Sequence, residues 1–239
     1  DIGILMPIYN TESLVGTAVA SVLGQQNCVA DILISDDQSP DGTLAAALRT
    51  VEAWRGPHRV RVFRTARRLA IDHLGTLVAA SAQPFLMQAH GDDESRPIRA
   101  ATLRDIHRQT GAALVSSLAI RVDGKGAVQE AVPQGFAAGW VTPAALARGS
   151  PIMLSGARLA LDRRIYDAFP PLTSSYLSLG HDTLQSWRAL LLGGVWLSDE
   201  PLLRVRRHDG QWSHRLWDTR TPEGTIFAYN LHRLAVLRA

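Results

Sequence analysis

A chain of 239 residues, 46% of them hydrophobic, holds enough apolar side chain for a real core, which excludes disorder of the whole chain. A formal charge of +3 is too small to mark a nucleic-acid surface; the arginines spread along the chain fit anionic substrates or a membrane face better. Cys28 is the single cysteine, which rules out an intrachain disulfide and a cysteine-based zinc site and suits a reducing, cytoplasmic setting. No run approaches the roughly 18 apolar residues of a membrane span.

Residues 2–8 form an apolar run containing Pro7, the pattern of a strand buried on both faces. Residues 11–25 carry Leu14, Val15, Ala18, Val19, Val22 and Leu23 at three- and four-residue steps, which predicts a helix capped by Thr11 or Ser13. A second strand over 30–35 runs into DDQSPDGT at 36–43, turn chemistry punctuated by Pro40 and Gly42. A helix over 44–54, a strand over 60–63, a helix over 74–82 and a strand over 84–88 follow. A helix over 97–110 and a strand over 112–122 complete the alternation. Strands alternating with helices predict an α/β fold with a doubly wound, mostly parallel sheet.

After Gly124 the pattern loosens. Residues 132–149, rich in Gly, Ala and Pro, predict a loop with one short helix. A strand is expected over 152–161, a helix over 184–192, one or two short strands over 196–205, and an apolar, arginine-containing helix over 226–238. Such a terminal helix suits docking on the core, a partner, or peripheral membrane contact.

Two acidic pairs carry the chemistry. Asp36-Asp37 and Asp92-Asp93 each close an apolar run, and in open α/β sheets the carboxyl ends of the strands are where ligands bind. Four carboxylates at one edge repel unless a cation or ligand donors offset them. Oxygen-rich donors suit Mg²⁺ or Mn²⁺ carrying a phosphorylated substrate. No glycine-rich loop follows the first strand; Pro7-Ile8-Tyr9-Asn10-Thr11-Glu12 stands there instead. This excludes a dinucleotide-binding fingerprint and a nucleotidyltransferase phosphate loop.

The order of these pieces resembles family-2 glycosyltransferases with the GT-A fold. Pro7-Ile8-Tyr9-Asn10, Ser21-Val22-Leu23-Gly24-Gln25, the 36–43 turn, Gly91-Asp92-Asp93, His181-Asp182 and Arg206-Arg207-His208 with Ser213 follow the family's motifs in sequence. The resemblance implies one GT-A domain over 1–239, with a nucleotide-sugar and metal half at 1–123 and an acceptor half at 124–239. It implies an inverting, metal-dependent enzyme that moves a sugar from a nucleotide-diphosphate sugar, UDP-linked by preference, to a hydroxyl. The acceptor would be a glycan or lipid-linked molecule, in bacterial surface-polysaccharide or glycan assembly, at the inner face of the membrane.

By the same resemblance, Pro7, Tyr9, Asp36, Asp37 and Asp92 hold the nucleotide, with the Tyr9 ring against the base and Glu12 a further candidate. Asp93 and His208 ligate Mn²⁺ or Mg²⁺. Asp182 is the general base. Arg206 meets the diphosphate, Gly156 leaves room for the sugar, and His181 stands by the acceptor. Trp212 stacks on a sugar or packs locally. Asp41 reads as a turn former beside Gly42, and the arginines at 64–68 are expected to face solvent. His90 replaces an acid common in relatives, and His181 replaces their Glu. These departures leave open an alternative, a degenerate GT-A domain that binds nucleotide without transferring sugar. Retention of Asp92, Asp93, Asp182 and His208 speaks against it.

Overall fold

In the computed structural model, Ile2–Ile8 (β1), Ala30–Asp36 (β2), Arg59–Arg64 (β3) and Phe85–Gln88 (β4) pair in parallel in the order β3-β2-β1-β4. The structure describes residues 2–130, 138–144, 156–173 and 181–208. Successive side chains of the strands serve opposite faces. Ile4, Met6, Ile32 and Ile34 pack with Val15 and Val19 of helix α1 (Glu12–Leu23), Ala46 and Ala47 of α2 (Thr43–Ala53) and Leu103 of α4 (Arg99–Thr110). Leu5, Leu33 and Leu86 face the other way, onto Leu74, Leu77 and Val78 of α3 (His73–Ala80). Burial on both sides explains why β1 and β2 lack a polar alternation.

Beyond β4 the sheet changes direction. Leu159–Asp162 (β9) runs antiparallel between β4 and Leu114–Val122 (β6). Val195–Arg206 (β10) then pairs in parallel with β6, so most paired residues lie in parallel ladders. Glu94–Ser95 (β5) and Gly139–Val141 (β8) add antiparallel to β10, and Val128–Glu130 (β7) to β6. Arg164–Asp167 (α5) and Asp182–Leu192 (α6) cover this end, with Ile165 and Ala189 against Leu114, Leu159 and Leu161. Among the described residues no helix is long and apolar enough to cross a membrane.

Five local expectations change. Thr11 stands at the N-cap of α1 but offers no side-chain cap; its carbonyl accepts the Leu14 and Val15 N–H groups instead. Of the strand expected over 152–161, residues 152–155 lie outside the described residues, Gly156–Arg158 is instead a 3₁₀ turn whose Ala157 carbonyl is held by the Arg99 guanidinium, and Leu159 onward is strand. The one or two short strands expected over 196–205 are a single long strand of 12 residues, irregular in register around Pro201, where a ladder donor is missing. β8 lies within the stretch expected to be loop. β5 and β7 were not anticipated; at two and three residues they carry too little period to read. The terminal helix over 226–238, with Gln211, Trp212 and Ser213, lies outside the described residues.

Candidate active site

β1 and β2 deliver Tyr9 and the first acidic pair side by side, since Ile8 is in register with Asp36. Asp36 is fully buried. Its Oδ2 accepts the Ser39 N–H (3.1 Å) and the Arg64 Nε (3.0 Å), while its Oδ1 meets no donor among the described residues. Asp37 is buried too, and its carboxylate is committed. It accepts the Arg68 Nε, the Leu69 N–H and the Ala70 N–H, each at 2.8 Å, and the Thr65 hydroxyl at 3.3 Å. This anchors the 65–70 segment so that the Arg68 guanidinium lies 3.2 Å from the centroid of the Tyr9 ring, a cation–π contact. Arg64 and Arg68 thus face solvent as expected, with side chains 44% and 41% exposed, while also pairing with Asp36 and Asp37.

Backbone strain gathers here. Asn10, Gln38 and Ala70 adopt left-handed φ values of 52°, 61° and 52° without being glycine. Asp41 accepts the Thr43 hydroxyl (2.6 Å) and the Thr43 and Glu12 N–H groups (3.1 Å each). Burial works against its charge, but these bonds together hold its carboxyl below the ordinary value. It is the turn former expected. Glu12 also turns to this loop, accepting the Gly42 N–H at 3.1 Å, not into a base pocket.

The second acidic pair follows β4. His90, Asp92 and Asp93 each bring one ligand atom, all within 4.8 Å of one another. His208 closes on them, with its Nε2 3.1 Å from Asp92 Oδ2. Two carboxylates with imidazole suit Mn²⁺ or Mg²⁺. Burial, and then the Asp92 charge, push the Asp93 carboxyl well above the usual range, against the Arg206 N–H and the charges of Arg99 and Arg158. Asp92 is driven the other way: burial would raise it, but the His208 hydrogen bond and the nearby His90 and His208 outweigh that.

Arg206 reaches this pair through its backbone, whose N–H donates to Asp93 Oδ1 at 3.0 Å. Its guanidinium is turned away to the Gly124 carbonyl (3.1 Å) and Glu94 (3.8 Å). The expectation that this side chain meets a diphosphate thus differs from where it rests. Arg99 was not singled out from the sequence. Fully buried beneath the pair, it donates to Ser95 Oγ and the Gln88 carbonyl, and burial pushes it down to about 10.

Asp182 opens α6, partly exposed, and accepts a hydrogen bond from the Gly156 amide. Burial raises its carboxyl, against that bond and the His90 charge. A Cβ on Gly156 would lie 2.8 Å from Asp182 Oδ1, so the absent side chain is a condition of this approach. His181 caps the helix, buried, with its carbonyl accepting the Gln185 N–H at 2.9 Å. His90 is within electrostatic range of both Asp182 and Asp92.

The curled α/β sheet gathers carboxylates and arginines at the ends of its parallel strands. The pattern of "Glycosyl transferase family 2" matches residues 3–139, more than half of the chain, and the chain belongs to that family. Over 98 residues it is 28% identical to EpsE of Bacillus subtilis (strain 168), whose name designates a glycosyltransferase without establishing the activity. That match takes in 41% of this chain and 35% of EpsE. The fold is shared with S. aureus TarS 1-349 in complex with UDP-GlcNAc (TM-score 0.73, 19% identity, 98% of this chain and 65% of that one). It is shared too with the mannosyltransferase PcManGT from Pyrobaculum calidifontis in complex with GDP-Man and Mn²⁺ (TM-score 0.67, 13% identity, 100% and 64%). These likenesses establish a GT-A-type fold.

Proposed function

We propose that this chain is an inverting, metal-dependent glycosyltransferase that moves a sugar from a nucleotide-diphosphate sugar to a hydroxyl of a glycan or lipid-linked acceptor. The observation that carries this is the gathering of His90, Asp92 and Asp93 ligand atoms within 4.8 Å of one another, with Asp182 in electrostatic range of His90. Residues 1–123 hold the nucleotide and residues 124–239 the acceptor. Tyr9 offers to the base the ring face that Arg68 leaves open, two residues past Pro7. The unpaired Oδ1 of Asp36 is the acceptor left for a base N–H, as in uracil, since Asp37 is spent on its loop.

Asp92, Asp93, His90 and His208 would hold Mn²⁺ or Mg²⁺, which when bound supplies positive charge against a diphosphate leaving group. Asp182 takes the proton of the acceptor hydroxyl as that oxygen bonds to the anomeric carbon and the carbon–phosphate oxygen bond breaks. A base partly open to solvent, with its carboxyl raised toward neutrality, suits this step. PcManGT with its GDP-Man and Mn²⁺, and TarS with its UDP-GlcNAc, support the donor class. The setting we favour is the inner face of the membrane.

Calorimetric titration with UDP, GDP and dTDP, with and without Mn²⁺, tests the reading on wild type and Asp93→Ala. One nucleotide should bind in a manganese-dependent way, and the substitution should abolish that dependence. Asp182→Asn should then bind the matching nucleotide sugar but fail to turn it over. Absence of binding by every nucleotide under both conditions would overturn the assignment.

A further inference from the structure

β4 ends on a glutamine where its neighbours Phe85, Leu86 and Met87 are apolar. Gln88 is 3% exposed, and its amide is fixed. Nε2 donates to Gln185 Oε1 at 2.9 Å and to the Tyr166 hydroxyl at 3.3 Å, and its backbone carbonyl accepts Arg99 at 3.0 Å. Both amide hydrogens are therefore engaged. Its side-chain oxygen meets no donor among the described residues and is not sealed from solvent, whereas Gln185 Nε2 is sealed. A buried amide that leaves one edge unmet is costly unless something else satisfies it.

The direction of that edge is given by Gly156. A Cβ built there would stand 3.4 Å from Gln88 Oε1 and 2.8 Å from Asp182 Oδ1, so both oxygens flank Gly156 and lie close to one another. We propose that Gln88 contacts a sugar hydroxyl beside Asp182 and takes part in selecting the sugar; this rests on the transferase reading above. A hydroxyl donates to Oε1 as drawn. If the amides of Gln88 and Gln185 turn over together, Tyr166 donates to Gln88 and Gln185 Nε2 gains its missing acceptor. Gln88 then presents an N–H, which a hydroxyl accepts equally well. An apolar residue at this strand end would offer neither.

The hydroxyl belongs either to the donor sugar or to the acceptor, and binding separates the two. UDP with UDP-GlcNAc, and GDP with GDP-Man, are titrated into wild type and Gln88→Leu in the presence of Mn²⁺. UDP or GDP affinity is expected to stay within about twofold, because the proposed contact is to the sugar and not to the nucleoside diphosphate. If the contact is to the donor, the nucleotide sugar loses about tenfold or more, as for a site built to bond a hydroxyl. If it is to the acceptor, nucleotide-sugar affinity and donor hydrolysis by water hold, while the acceptor KM rises by a similar factor.

Deoxy nucleotide sugars give the same readout without relying on the variant. One deoxy position should weaken binding to wild type, and should cease to matter in Gln88→Leu. A variant that keeps nucleotide-sugar affinity, hydrolysis and acceptor KM unchanged overturns the proposal. Failure of wild type to bind UDP or GDP overturns the transferase reading itself, a separate result.

Discussion

Asp182 is raised in the folded protein chiefly by burial, and this ties its chemistry to stability. A carboxyl whose folded value lies above its unfolded one favours the native state below the unfolded value, and loses that contribution as pH rises through the folded one. Ionised Asp182 is therefore a cost to the fold at neutral pH. Asp182→Asn should raise the melting temperature at pH 7.5, and the gain should shrink at acid pH where wild type is already protonated. The same group must be ionised to act as a base, so kcat/KM should rise with pH through a value above the ordinary carboxylate range. Equal melting temperatures of the two proteins at all pH values would contradict this account. His181, the residue before it, stands at the helix N-cap and contributes its backbone carbonyl to the first turn.

At the scale of elements, the 65–70 segment depends on one carboxylate 31 to 33 residues away in sequence. Asp37→Ala removes an acceptor shared by Arg68, Leu69, Ala70 and Thr65. It should cost about 1–3 kcal/mol in denaturant unfolding, the range for buried donors left unmet. It should also speed hydrogen exchange at the Leu69 and Ala70 amides. Ala70→Gly should act oppositely, because Ala70 is held at φ 52°. Glycine relieves roughly 1 kcal/mol of strain there, partly offset by its freer unfolded chain. Unchanged exchange in Asp37→Ala would show that the segment is held by other contacts. This segment also marks the limit of sequence reading. β1, β2 and β4 were legible because burial on both faces writes continuous apolar runs. That Arg68 would lie over Tyr9 was not, because it follows from a loop closure that no local period records. The 3₁₀ turn at Gly156–Arg158 was not legible for a related reason: it is held by Arg99 and Asp182, both distant in sequence.

Over the whole molecule, a net charge of +3 conceals a local excess of acid at one sheet edge. Asp36 and Asp37 are answered by Arg64 and Arg68. Asp92 and Asp93 were legible as an adjacent pair in the sequence, but not the depth of their burial or the arginines set behind them. Arg99 and Arg158 lie within range of Asp93, yet burial and Asp92 still leave its carboxyl raised. An ionised Asp93 is therefore disfavoured in the fold, and a divalent cation is the agent that would offset it. Binding to the native state alone stabilises by RT ln(1 + [L]/Kd), about 2.7 kcal/mol at a hundredfold excess over Kd. Mn²⁺ should raise the melting temperature of wild type, reversibly on chelation. Because protons compete for the same oxygens, the shift should grow as pH rises through the raised Asp93 value. Asp93→Asn should melt higher than wild type without metal at neutral pH, since it removes a buried charge that burial and Asp92 both disfavour, and should gain little from Mn²⁺. A manganese shift of equal size in Asp93→Asn would place the cation elsewhere and leave His90, Asp92 and Asp93 as a hydrogen-bonded turn.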